Sequence, residues 1–138
     1  MTSAELLVDA FGRVREVVHR VVEGLTAEEL AFRVDPEANS IAWLVWHLTR
    51  IQDDHVADVA RVEQVWTSQG WGERFGLPFD PRDTGYGHRS EEVAAVQLDS
   101  ASNWWATTTR STDRRSGTWE GSATPTSVAS WTGPGIRR

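Results

Sequence analysis

The chain contains no cysteine, so a disulfide, a thiolate nucleophile and a thiolate metal site are all excluded. Lysine is absent as well, and arginine alone supplies the 14 positive charges that stand against 20 acidic ones. The formal net charge of −6, with no basic stripe, argues against a nucleic-acid partner. No apolar run is long enough to cross a bilayer, and the N-terminus lacks a basic-then-apolar signal pattern. No membrane partner and a cytoplasmic protein are therefore expected. Histidine is scarce, with only His19, His47, His55 and His88 in 138 residues, enough chain for one domain with one core.

The most informative stretch runs from Asn39 to Ala60. Ile41, Leu44, Val45, Leu48, Ile51 and Val59 recur there at three- and four-residue spacing, which predicts an α-helix with one apolar side. Asn39 and Ser40 are suited to cap it, because their side chains accept the unpaired N–H groups of a first turn. His47 falls within the stripe, on the side of Ser40, Leu44, Ile51 and Asp54, and His55 follows two turns later. An imidazole so placed is either a core histidine bonded to a neighbour or a metal ligand or base. His47 and His55 are too far apart along one axis to chelate a single ion, given about 1.5 Å of rise per residue.

Ser3 to Glu23 also reads as an amphipathic helix, ended by Gly24, and His19 lies off its apolar stripe. Thr26-Ala27-Glu28-Glu29 forms a capping box that predicts a short helical turn, and Asp35-Pro36 breaks it. The central helix is expected to continue to Val65 or Trp66. Thr67 to Arg89 shows neither helical nor strand period but carries Trp71, Phe75, Phe79 and Tyr86, which predicts an ordered covering loop. Such a loop either shapes a substrate pocket or simply plugs the core with its rings. Ser90 is expected to cap a further helix that begins at Glu91 and Glu92 and is faced by Val93 and Val96.

The run SIAWLVWHLTRIQDDHVADVA at residues 40–60, followed by QVWTSQGWGERFGLPFDPRDTGYGHRSEEVAAV at 64–96, resembles the DinB superfamily. More narrowly, it is similar to the actinobacterial branch of mycothiol-dependent maleylpyruvate isomerases and related mycothiol transferases. The resemblance covers residues 1 to about 100. It implies an all-α, up-down four-helix bundle that holds a divalent metal (zinc or nickel) and uses mycothiol as thiol cosubstrate on a small-molecule substrate. Residue by residue, only His47 maps onto a family metal ligand. The family draws its other ligands from a late helix, as a histidine or carboxylate followed four positions later by a histidine, and no such pair occurs here. Trp43, Asp54, His55 and His88 remain as candidates to contact substrate or to back the ligand. The expectation is a DinB-like transferase or isomerase that is inactive in this form. The alternative is a metal-free helical module that binds or dimerises through the aromatic loop 67–89.

The chain divides into a DinB-like helical part, 1–101, and an irregular tail, 102–138. The tail is dense in Thr, Ser, Arg and Gly, with almost no aliphatic residues, yet holds Trp104, Trp105, Trp119 and Trp131. Neither packed nor disordered segments combine those features. Reading each codon one base early tests for a frame shift, since tryptophan has a single codon. Trp105 then reads as valine, Ala106 and Glu120 as glycine and Thr132 as aspartate, without choice. The shifted text has aliphatic periodicity and echoes the in-frame segment from Val21 to Pro36. The expectation is an out-of-frame tail and a bundle lacking its last helix. That leaves apolar stripes of the first two long helices uncovered and points to a homodimer.

Overall fold

The computed structural model describes residues 1–98, which are helical and contain no strand. The order is α1 (Ser3–Val22), α2 (Ala27–Ala31), α3 (Ile41–Ala60), α4 (Val65–Ser68), α5 (Trp71–Arg74) and α6 (Ser90–Ala95). The all-α expectation holds for these residues. The expectations about residues 102–138 and the missing last helix lie outside them.

Helices α1, α2 and α3 each begin where a side chain pairs a first-turn N–H group. Thr2 and Glu5 form a capping box on α1, and Thr26 and Glu29 form another on α2. The Thr2 and Thr26 N–H and hydroxyl groups hold the Glu5 and Glu29 carboxyls below the usual carboxylate range. Ser40 caps α3 by accepting from the Trp43 N–H at 3.1 Å. Ser90 is the first residue inside α6, and its hydroxyl donates to the Pro36 carbonyl at 2.7 Å. The Arg33 guanidinium reaches the carbonyls of Pro36, Ala38 and Ser90, so one side chain ties the turn before α3 to the start of α6.

Two sequence expectations about α3 are corrected. The helix stops at Ala60, where Arg61 takes a left-handed conformation at φ 54°, and Val65–Ser68 is a separate turn. The buried side of α3 is also rotated from the one that apolar spacing indicates. It runs through Ala42, Trp46, Arg50, Asp53 and Ala57, whereas Leu44 is 49% and Val59 69% exposed. The reason is that Asp53 is drawn inward by the Val65 and Trp66 N–H groups and Arg50 by the Pro81 and Asp83 carbonyls, which periodicity in apolar residues does not register.

The core gathers Val22, Leu30, Trp43, Val45, Trp46, Trp66, Val93, Val96 and Leu98. The covering segment 67–89 packs Trp71, Phe75, Leu77 and Phe79 against it, so those rings serve as plugs. Phe75 stacks on Trp66 with centroids 5.8 Å apart, and Phe79 meets Trp46 at 5.4 Å.

Candidate functional site

The site lies where the segment 83–88 folds back along α3. Asp83 accepts from the Gly85 N–H at 2.8 Å, a tight turn built on an aspartate side chain. The turn then runs antiparallel to α3 and is stitched to it by three side chains on one helical face, Trp43, His47 and Arg50. Arg50 Nε donates to the Asp83 carbonyl at 3.0 Å. His47 Nδ1 lies 2.5 Å from the Thr84 carbonyl. Trp43 Nε1 donates to His88 Nδ1 at 3.0 Å.

These partners fix the protonated nitrogen of each ring. A carbonyl only accepts, so His47 carries a proton on Nδ1, and the neutral ring leaves Nε2 as a bare lone pair. An indole N–H only donates, so His88 is unprotonated at Nδ1 and donates from Nε2 to Asp83 Oδ2 at 3.1 Å. Two histidines in one cluster thus hold opposite tautomers. For Asp83, burial raises the carboxyl, but hydrogen bonds from Gly85, His88 and the Thr84 N–H outweigh it and set it below its ordinary value.

Aromatic rings enclose the pair. His47 stacks on Trp43, with centroids 4.7 Å apart and planes 15° from parallel, and meets the edge of Tyr86 at 5.5 Å. His88 stacks on Trp46 at 5.4 Å and touches Phe79 at 4.6 Å, and its side chain is 5% exposed. Gly85 is the point of closest approach. A Cβ built there would stand 2.8 Å from Trp46, 2.9 Å from His47 Nδ1 and 3.1 Å from Trp43, and its φ of +96° already disfavours any other residue.

Beneath this turn, the buried Arg50 has further partners. Its Nη2 donates to Gln64 Oε1 at 2.7 Å and the Pro81 carbonyl at 3.3 Å, and its guanidinium lies over the Trp66 ring at 5.3 Å. Burial lowers its affinity for the proton, and the charges of Asp53, Asp54 and Asp83 act to restore it. Asp53 accepts from the Val65 and Trp66 N–H groups at 3.1 and 2.7 Å, taking up unpaired donors at the start of α4. Trp46 Nε1 is buried without a hydrogen-bond partner among the described residues.

The five residues singled out from sequence therefore separate. Trp43 and His47 form the stacked mouth, with Tyr86, 74% exposed, at its rim. His88 is wedged in the core beside them with both nitrogens engaged. Asp54 accepts from Gln64 at 2.7 Å and belongs to the Arg50 network. His55 is exposed on the far part of α3. Thr84, Gly85, Asp83, Arg50 and Asp53 were not singled out. An aspartate two residues before a glycine, as in Asp83-Thr84-Gly85, was the available sign of the turn.

The fit of this site to a divalent metal can be judged from its donors. His47 offers one free nitrogen, His88 offers none, and no group of three His, Cys, Asp or Glu side chains among the described residues is placed to hold an ion. All four histidines of the sequence lie within the described part, so no further imidazole exists in this chain. Among the described residues a catalytic metal site with three protein ligands is not supplied. Among the described residues no helix is long and apolar enough to cross a membrane.

Comparison with known proteins places these features in context. The sequence profile of the DinB superfamily matches residues 10–133. A solved structure of a conserved protein from Enterococcus faecalis superposes with a TM-score of 0.77 at 22% identity, covering 89% of this chain and 72% of that one. That likeness establishes a shared fold. No curated protein matches the chain.

Proposed function

Since this chain belongs to the DinB superfamily, we propose that its His47 mouth corresponds to the ligand site of a metal- and thiol-dependent transferase or isomerase, of the mycothiol-using kind, and that the chain as it stands does not run that reaction. One observation carries both halves. The Thr84 carbonyl holds His47 with Nδ1 protonated and Nε2 bare, the orientation in which imidazoles ligate metals, yet no other imidazole is left to join it. A single neutral imidazole does not hold a catalytic ion tightly.

In this chain the residues around His47 do structural work. They fasten a covering turn over the Trp43 and Trp46 rings through side chains that a ligand would not displace without opening the core. What stays accessible is His47 Nε2 beside the Tyr86 ring, a place for a small flat molecule with a hydrogen-bond donor. This supports a second reading, a metal-free binding module that uses the aromatic loop.

Calorimetric titration of the full chain with zinc or nickel tests the proposal. The expected result is no tight one-to-one binding, and the same weak heats in His47→Ala. Tight one-to-one binding abolished by His47→Ala, with thiol-transfer activity in the loaded protein, would overturn it.

A further inference from the structure

Trp43 donates from Nε1 to His88 Nδ1 at 3.0 Å, and His88 donates from Nε2 to Asp83 Oδ2 at 3.1 Å. Both rings lie inside, with Trp43 7% and the His88 side chain 5% exposed. Histidine is the side chain whose charge ordinarily changes between about pH 5 and 8. In neutral His88 the lone pair in the ring plane is on Nδ1, so a second proton lands there. That nitrogen already faces the indole hydrogen, and an indole nitrogen is a donor only. Two N–H groups would then point at each other across a 3.0 Å gap, and the rings must part.

We propose that His88 is a proton-operated latch on the mouth: neutral, it holds the Trp43 ring to the turn 83–88, and protonated at Nδ1, it lets that ring go. The other side of the imidazole keeps its partner. Hydrogen bonds set the Asp83 carboxyl below its ordinary value, so it is still an anion where histidines titrate, and it retains the imidazolium. Trp43 is left without its acceptor. A buried indole N–H in that state is unfavourable until the ring moves or water enters. His47 responds differently, because its second proton goes to the bare Nε2 while Nδ1–H keeps the Thr84 carbonyl. Opposite tautomers thus make His88 a switch and leave the His47 tie in place.

The charges around His88 are few. Asp83, on its own turn, is the one it touches. From α3, Arg50 reaches the Asp83 main-chain carbonyl, Asp53 and Asp54 belong to the network around Arg50 and Gln64, and His47 lies against the Trp43 ring. On the segment that brings Phe79, Asp80 and Arg82 pair with each other at 3.5 Å in solvent. Tyr86 and Arg89, next to His88 in the chain, are exposed, and the Glu92 carboxylate of α6 accepts from the Arg89 N–H. Trp43 also stacks on His47 with centroids 4.7 Å apart, so its release loosens the wall of the mouth. As control of the mouth, the latch rests on the ligand role proposed for His47. The release itself rests on these rings alone, and its test uses no metal, so the two can fail separately.

Proton and nitrogen-15 NMR of the full chain, taken from about pH 8 down to about pH 5, tests the latch. As the ring signals of His88 titrate, the Trp43 indole N–H signal should move with them. Its protection from hydrogen exchange should fall about tenfold, the loss expected for one hydrogen bond, with far-ultraviolet circular dichroism unchanged. His88→Gln, which takes up no proton, should abolish the acid response of the Trp43 indole. Three results would overturn the latch: His88 staying neutral down to about pH 5, a Trp43 indole whose signal and protection ignore the His88 titration, or a response that follows His47 and survives in His88→Gln. The titration of the unaltered chain decides the matter even if the glutamine variant fails to fold.

Discussion

Replacing Gly85 with alanine tests the geometry of the mouth at its tightest point. Two costs combine at that position. An L side chain at φ +96° meets backbone strain of about 1–2 kcal/mol. The added methyl would also stand 2.8–3.1 Å from three ring atoms of Trp46, His47 and Trp43. Trp43 and His47 are stacked on each other and hydrogen-bonded, and Trp46 is buried against Phe79 and His88, so the rings cannot swing aside cheaply, and overpacking of this kind costs about 1–3 kcal/mol. The total, about 2–5 kcal/mol, is a large share of the roughly 5–15 kcal/mol that stabilises a domain. Gly87 is the internal control, since its φ is +79° but no atom lies within 4 Å of a Cβ placed there. Gly87→Ala should meet the strain alone, and the loss of unfolded-chain freedom on changing glycine to alanine is common to both and cancels. Urea unfolding followed by tryptophan fluorescence should therefore place Gly85→Ala about 1–3 kcal/mol below Gly87→Ala. Near-ultraviolet circular dichroism should change only in the former. If the two variants unfold within about 0.5 kcal/mol of each other, the close approach of the turn to the Trp43–His47 stack is wrong.

Other substitutions probe the network beneath. Arg50→Lys removes the donor to the Asp83 carbonyl and should destabilise by about 3 kcal/mol in the same unfolding assay, more than His47→Ala, because a buried charge would lose partners. Asp83→Asn should show a pH-dependent effect. The folded-state carboxyl titrates below its ordinary value of 3.8, so its stabilisation is present above that value and is lost as the pH falls below it. The gap between wild type and Asp83→Asn should therefore be full at neutral pH and close in strong acid, as followed by thermal melts across that range. We further propose that residues 102–138 are translated out of frame. Sequencing the gene around the codons for Ala101 to Asn103 should show that restoring one base opens a longer frame, and failure to find one refutes this.

Much of the scaffold was legible because short-range chemistry sets it. The capping box at Thr26 and Glu29, Ser40 at the start of α3, and the aromatic segment 67–89 as an ordered cover all follow from neighbours within a few residues. The inward rotation of α3 was not legible. Arg50 and Asp53 are buried by donors and acceptors from residues 64–66 and 81–83, distant in sequence, so their polarity misleads a count of apolar positions. The stop at Ala60 was hidden likewise, because Arg61 takes a left-handed conformation usually left to glycine. Of the candidate residues, His47 could be found from its place on α3, while the role of His88 depends on Trp43, 45 residues away.

The account stands on the opposite tautomers of His47 and His88, and nitrogen-15 NMR of the histidine rings reads them directly. Long-range nitrogen–proton correlations at neutral pH should show His47 protonated at Nδ1 with a bare Nε2, and His88 protonated at Nε2. Finding His47 protonated at Nε2 would mean that the Thr84 carbonyl does not hold the ring, and would contradict the reading of this mouth as a ligand position deprived of its partners.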